Sequence, residues 1–129
     1  MHIVVTIDVP NLDQGIAFYR DALGFEERVR PLPSFVIMTC GRAQIGVMQK
    51  DAGTRPAPGS DDTRTYERHW TPVHADFHVE EFEETLAAIV SAGGRAGQKA
   101  GGGALPDVAF CSDPFGHGFC LIGPRPEAS

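Results

Sequence analysis

"VVTIDVPNLDQGIAFYRDALGF" (residues 4–25) decides the fold, because it joins two hydrophobic patterns of different period. Up to position 9 polar and apolar residues alternate, which is typical of a strand with one buried face. Four apolar residues then recur at steps of 4, 3 and 4, which is one face of a helix: Leu12, Ile16, Tyr19 and Leu23. Asn11 or Asp13 can cap the start of this helix, and Gly24 can end it. The stretch predicts a strand followed by an amphipathic helix.

The same pattern returns 70 residues later without a gap, in "HADFHVEEFEETLAAIVSAGGR" (74–95). Three further strands are predicted after each helix, namely 25–30, 34–40 and 43–49, and then 95–99, 107–112 and 118–123. The chain therefore predicts the order βαβββ twice. The fold class is α+β, with two modules whose curled mixed sheets form a cleft.

The predicted boundaries describe one domain, 1–129. Module one covers 1–49, a linker loop covers 50–71, and module two covers 72–123. The linker is rich in Gly, Pro, Asp and Thr, and "GQKAGGGALP" (97–106) reads as a flexible connection. Residues 113–116 suit a type I turn before the last strand, because Pro stands second and Gly fourth.

Composition excludes several classes of protein. Eleven Lys and Arg against seventeen Asp and Glu give a net charge of −6, which argues against a nucleic-acid partner. The three cysteines have no paired spacing, so neither a disulfide nor a zinc framework is expected. No signal peptide and no apolar run of about 20 residues is present, so we expect a cytoplasmic protein without a membrane partner. A chain this short favours a homodimer.

The stretch "VHADFHV" (73–79) raises the question of function, because His74, Asp76 and His78 alternate with apolar residues. If the odd-numbered residues pack under the helix, the even-numbered ones face the cleft, as Thr6 does in module one. Asp8 and His78 lie at strand ends, where exposure to solvent is the simpler expectation.

Other candidates come from the third strand and from the linker. Val36 and Met38 are assigned to the cleft, although the opposite parity stays open because both faces of their strand are apolar. Trp70 is predicted to contact either a ligand or a dimer partner. Arg64 and His117 are expected to be solvated.

Two motifs carry a resemblance that spans nearly the whole chain. The first fits V-x-x-L-x-x-x-x-x-F-Y-x-x-x-L-G-F and comprises Val9, Leu12, Phe18, Tyr19, Leu23, Gly24 and Phe25. The second, "CSDPFGHGFCLI" (111–122), looks like a closing DPxGxxxE hairpin. Together they resemble the vicinal oxygen chelate superfamily, which holds glyoxalases, bleomycin-resistance proteins and extradiol dioxygenases. The resemblance implies the paired-module fold and leaves the activity open.

The resemblance also implies where a metal would be held. Enzymes of the superfamily use four side chains, two from each module, and the matching positions here are Val4, about Gly46, His74 and Cys120. Only His74 is a residue of the family's ligand type. We therefore expect no metal site and no cofactor, and keep as the alternative a divalent ion on His74 with Cys120 or Asp76.

The first expectation is a small-molecule-binding protein of the glyoxalase/bleomycin-resistance type that sequesters a ligand in a metal-independent cleft. The predicted lining is Thr6, Val36, Met38, Trp70, His74, Asp76 and Cys120. In this cleft Asp76 would hold a cationic group or orient a histidine, and Cys120 is expected to be a buried thiol rather than a nucleophile activated by His74.

Two alternatives are kept. One is a metal-dependent lyase, isomerase or dioxygenase that uses His74 as a ligand, so whether the chain is an enzyme stays open. The other is a dimer with only a structural or regulatory role.

Overall fold

The computed structural model describes residues 1–127. The chain divides into two compact units, Met1–Tyr66 and Glu67–Ser129, which are called unit 1 and unit 2. Among the described residues, no helix is both long and apolar enough to cross a membrane.

Unit 1 contains one helix and a four-stranded mixed sheet. Its elements are β1 (Val5–Val9), α1 (Leu12–Leu23), β2 (Glu26–Leu32), β3 (Phe35–Cys40) and β4 (Ala43–Gln49). The strand order is β1-β4-β3-β2, with β1 parallel to β4 and the other pairs antiparallel. Helix α1 is the crossover that lets β1 run parallel to a later strand.

Unit 2 repeats this organisation. Its elements are β5 (Ala75–His78), α2 (Phe82–Ser91), β6 (Arg95–Gly102), β7 (Leu105–Ser112) and β8 (Gly118–Ile122). The order is β5-β8-β7-β6, with only β5 and β8 parallel. Helix α2 starts 70 residues after α1, as the sequence repeat requires. The prediction of an α+β fold with two βαβββ modules is confirmed.

The ends of α1 follow the predicted chemistry. The side chain of Asn11 accepts a hydrogen bond from the backbone N–H of Gln14, so Asn11 rather than Asp13 is the N-cap. Gly24 ends the helix with φ 77°, a left-handed conformation that glycine adopts without steric cost.

Val36 and Met38, which were predicted to line the cleft, lie in the core of unit 1. Both side chains are fully buried, and in the β3–β4 register they lie opposite Val47 and Ile45. Val47 contacts the position where a Cβ on Gly15 of α1 would stand, so this face of the sheet packs under the helix. The even-numbered residues of β3 therefore pack under the helix, which is the reverse of the predicted arrangement. Val36 and Met38 are core residues that hold α1 on the sheet.

Fewer residues of the first strand are buried than the alternating pattern predicted. Val9 is fully buried, but Val5 remains 52% exposed and Ile3 75% exposed. Burial along β1 increases towards its carboxyl end, where Val9 lies against Gly15 of α1.

The stretch 97–106 is not a flexible connection. It forms the end of β6, a tight turn and the start of β7. A Cβ on Gly101 would overlap the carbonyl oxygen of Pro106, and one on Gly97 would overlap that of Phe110. The glycines that suggested flexibility instead allow two strands to approach closely at irregularities of the ladder.

The segment predicted as one linker, 50–71, is shared between the two units. In unit 1, Arg64 exchanges backbone hydrogen bonds with Gly53 and Thr54, and the hydroxyl of Tyr66 donates to the carbonyl of Lys50 at 2.6 Å. Burial is the main cause that raises the pKa of Tyr66. Residues 50–66 therefore form a structured loop of unit 1.

Arg64 is not a solvated side chain, which corrects the expectation for it and for Asp8. Its Nε lies 2.7 Å from Oδ2 of Asp8, and the two side chains are only 13% and 29% exposed. A second nitrogen of Arg64 donates to the hydroxyl of Thr54 and to the carbonyl of Arg55. The pair fastens the loop to the end of β1.

We predict that Asp8 and Arg64 are energetically coupled. A double-mutant cycle with Asp8→Ala and Arg64→Ala, followed by chemical denaturation, should give a coupling free energy of about 1 kcal/mol, because the pair is largely shielded from solvent. The matched control is Arg20 with Asp21, a pair at 2.9 Å whose side chains are 56% and 55% exposed. Its coupling should be close to zero, and equal coupling in the two pairs would contradict the account.

Candidate functional site in unit 2

Three potential metal-ligating side chains converge on one face of the sheet in unit 2. Asp76 of β5 lies directly opposite Cys120 of β8, so both side chains point to the same side. His74 precedes Asp76 by two residues and shares this side, and its Nδ1 lies 3.2 Å from Oδ1 of Asp76. The ligand atoms of all three residues lie within 4.8 Å of one another. Within residues 1–127 this is the only such group of three.

The three side chains differ in exposure. His74 and Asp76 are 37% and 46% exposed, whereas Cys120 is 7% exposed. Burial raises the pKa of the Cys120 thiol, and the nearby Asp76 carboxylate adds to the effect by its charge and by accepting the thiol hydrogen bond. The raised pKa favours the thiol form of Cys120 over the thiolate that a nucleophile needs.

Trp70 reaches the same face because the end of the predicted linker joins unit 2. His69 donates a backbone hydrogen bond to Gly116 and accepts one from Gly118, so residues 67–70 run beside the start of β8. The indole of Trp70 lies over Gly118, where a Cβ would be only 2.6 Å from the ring. The ring centroids of Trp70 and His74 are 6.0 Å apart.

Three residues of this site were missed from the sequence. Phe110 of β7 lies opposite Cys120, and its ring centroid is 6.0 Å from that of Trp70. The guanidinium of Arg68 lies 4.7 Å from the centre of the indole and donates to the carbonyl of His69. The third missed residue is Gly118, on which the indole lies. Counting register along the last hairpin would have found Phe110, but no local signal marks Arg68 or Gly118.

The aromatic pair is the most exposed apolar part of this face. Trp70 is 44% exposed and Phe110 is 40% exposed, although both are held in place by neighbours. Arg68 and Gly118 fix the indole, and the β7–β8 register fixes Phe110. The site thus combines a preformed aromatic surface with an imidazole and a carboxylate.

Unit 1 offers no comparable group at the equivalent positions. Thr6 lies opposite Gly46 in the same parallel register that places Asp76 opposite Cys120, and Val4 corresponds to His74. A Cβ on Gly46 would stand 2.8 Å from both the Thr6 hydroxyl and the ring of Phe35. Gly46 therefore occupies in unit 1 the place that Cys120 occupies in unit 2, as the resemblance implied, and no space is left there for a carboxylate side chain.

The other histidines of unit 2 lie outside this group of three. His78 is exposed at the end of β5. His117 is half-buried rather than solvated, with its Nδ1 3.3 Å from Nε2 of His69. The carboxylate of Asp113 accepts the backbone N–H groups of Phe115 and His117, and this completes the predicted turn.

A family model for the glyoxalase-like domain matches residues 4–122. The chain belongs to this family. The glyoxalase-like domain is part of the vicinal oxygen chelate superfamily, as the two sequence motifs implied. No curated protein matches the chain significantly.

Solved structures share the glyoxalase-like fold at low sequence identity. The hypothetical protein SA1046 from S. aureus is 21% identical, with a TM-score of 0.73, and 95% of this chain and 93% of that one are covered. The fosfomycin resistance protein FosX from Listeria monocytogenes is 18% identical with a TM-score of 0.73, covering 97% and 91%. A lactoylglutathione lyase from Agrobacterium tumefaciens is 16% identical with a TM-score of 0.65, covering 95% and 92%.

Metal ions occur among these relatives, since one FosX structure is a complex with Mn(II). The residues of this glyoxalase-like chain do not fit the family's four-residue set, because Val4 and Gly46 provide no ligand atom and Cys120 replaces a carboxylate. A smaller set of three ligands, His74, Asp76 and Cys120, is close enough together to hold an ion. The oxygen-rich shell preferred by hard ions such as Mg²⁺ is absent from these positions.

We predict that Gly118→Ala displaces Trp70. The new methyl group would overlap the indole and the guanidinium of Arg68, so both must move. Because Trp70 is the only tryptophan, its fluorescence emission should shift to longer wavelength as the ring becomes more exposed.

Gly103→Ala is the control, because nothing lies within 4 Å of its Cβ position, although the φ of Gly103 is positive and that of Gly118 is not. Its emission spectrum should match that of the unmodified protein. An unchanged spectrum in Gly118→Ala, with the fold intact by circular dichroism, would refute this placement of Trp70.

Proposed function

We propose that this glyoxalase-like chain binds and sequesters a small molecule on the face of unit 2 that carries Trp70, Phe110, His74 and Asp76. The observation that carries the proposal is the exposed aromatic pair held beside a carboxylate and an imidazole. Small-molecule sites in proteins combine apolar and aromatic walls with a few placed polar groups.

The aromatic pair supports a flat, conjugated ligand. The two ring planes are 72° apart, so a flat ligand can stack on one ring and contact the edge of the other, and rings fixed in advance lose little side-chain entropy on binding. Arg68 and Gly118 hold the indole, so Trp70 does not need to be ordered by the ligand. Placing a tryptophan 44% exposed is unfavourable for an isolated chain unless something covers it, which is a further reason to expect a ligand there.

The polar groups support a ligand that carries a positive charge or several hydrogen-bond donors. Asp76 is 46% exposed, so a cationic group can approach its carboxylate, and His74 stands beside it. The net charge of −6 adds long-range attraction for a cation. Neither contact requires an ion, so the proposed binding is independent of metal.

We predict that proflavine, a planar aromatic cation, binds this face and quenches the fluorescence of Trp70. Asp76→Asn should weaken proflavine binding about tenfold, or roughly 1.4 kcal/mol, because a charged contact becomes a neutral one. His74→Ala should also weaken it, and EDTA should leave the affinity unchanged.

Glu84→Gln on α2 is the matched control, since it removes the same charge from an exposed position in the same unit. Its affinity for proflavine should equal that of the unmodified protein. If Asp76→Asn and His74→Ala both bind as tightly as Glu84→Gln, the proposed binding face is wrong.

A second candidate function is a metal-dependent lyase, isomerase or dioxygenase, and the His74, Asp76 and Cys120 group favours it. In this function the three side chains would hold a divalent ion, which would supply Lewis-acid chemistry to a substrate oxygen. The aromatic pair would position the substrate beside the group. Protein purified without chelator would then contain one equivalent of metal by elemental analysis, and His74→Ala would lose it.

A further inference from the structure

We propose that unit 2 alone binds a zinc-type ion through His74, Asp76 and Cys120, with a preference for Zn²⁺ and Co²⁺ over Mg²⁺ and Mn²⁺. The proposed set differs from the superfamily's four residues, which come from both modules and which the chain has lost at Val4 and Gly46. It adds Asp76, a position to which the resemblance assigns no role.

The spacing of the three side chains is close to what a small ion needs. Ligand atoms about 2.0–2.3 Å from a tetrahedral ion lie roughly 3.3–3.7 Å from one another. Nδ1 of His74 and Oδ1 of Asp76 are 3.2 Å apart, and no ligand atom of the group is more than 4.8 Å from another. Rotation of the exposed imidazole and carboxylate would bring the group to the ion without a change in the backbone.

The sheet fixes this arrangement in advance. Asp76 and Cys120 stand opposite each other in the parallel β5–β8 ladder, and His74 is two residues before Asp76 on the same side. The indole of Trp70 lies beside the imidazole of His74. Binding would therefore order few new degrees of freedom, which favours affinity.

The chemistry of the ligand atoms selects the ion. One nitrogen, one oxygen and one sulfur atom suit borderline ions such as Zn²⁺, whereas Mg²⁺ and Mn²⁺ favour shells of oxygen. Three protein ligands leave a fourth tetrahedral position for water or a substrate atom, as in catalytic zinc sites. The partial exposure of His74 and Asp76 makes that position reachable from solvent.

The inference does not rest on the binding of an organic ligand, because it is tested with metal alone. It has one consequence for that binding. An ion on His74 and Asp76 would occupy the same two groups that a cationic ligand needs, so Zn²⁺ should compete with proflavine.

The test is a titration of the full chain with Co²⁺, followed by absorption spectroscopy. Binding should release the thiol proton of Cys120 to solvent, so bound Co²⁺ should give a thiolate charge-transfer band in the near ultraviolet and strong visible bands typical of four-coordination, at one equivalent of ion. One equivalent of Zn²⁺ should abolish these bands, and a hundredfold excess of Mg²⁺ should not.

Variants identify the ligands. Cys120→Ser should lose the charge-transfer band, and Asp76→Asn and His74→Ala should each weaken Co²⁺ binding at least tenfold. Asp76 and His74 are exposed enough for their variants to fold even if Cys120→Ser does not. Cys40→Ser tests the exposed thiol, and His117→Ala tests the nearby His69–His117 pair; both should retain the band.

A charge-transfer band that disappears in Cys40→Ser, or that is unchanged in Asp76→Asn and His74→Ala, would overturn the proposal. So would the absence of any band at one equivalent of Co²⁺. Neither result affects proflavine binding in EDTA, so failure of this inference can be told apart from failure of the proposed function.

Discussion

The parallel pairing of β5 with β8 is the constraint on which the candidate site depends. It places Asp76 opposite Cys120, and the two-residue period of a strand then brings His74 to the same side. A register shift of one residue would send Asp76 to the other face and bring Phe77, which contacts Phe119, in its place. The contact of Phe77 with the buried Phe119 therefore holds the register that assembles the polar group.

The two units share the same strand order and differ in the side chains on the corresponding face of the sheet. The same parallel register operates in unit 1, but Val4, Thr6 and Gly46 stand where unit 2 has His74, Asp76 and Cys120. Gly46 leaves no room for a larger side chain. A duplicated βαβββ unit has thus kept its packing, while at these three positions only unit 2 carries titratable groups. The cleft predicted between the modules and the expected homodimer stay predictions.

Much of the fold could be predicted because it depends on local periodicity. The helices follow from apolar residues such as Ile16 and Leu86, and the strands from alternation in stretches such as 73–79. The parity of Val36 and Met38 could not be decided, because both faces of β3 are apolar and tertiary packing makes the choice. Residues 97–106 were misread because glycine signals both flexibility and close approach of strands.

The candidate site could be predicted only in part. His74, Asp76 and Cys120 were found from parity and motif spacing, whereas Arg68 joins them through the non-local His69–His117 bridge and Phe110 through the register of the β7–β8 hairpin. The most direct test of the account is a nuclear Overhauser measurement on the His74 imidazole. The account predicts cross-peaks to the indole of Trp70 and to the β protons of Cys120. Their absence, with the β5–β8 backbone cross-peaks still present, would contradict the assembled site.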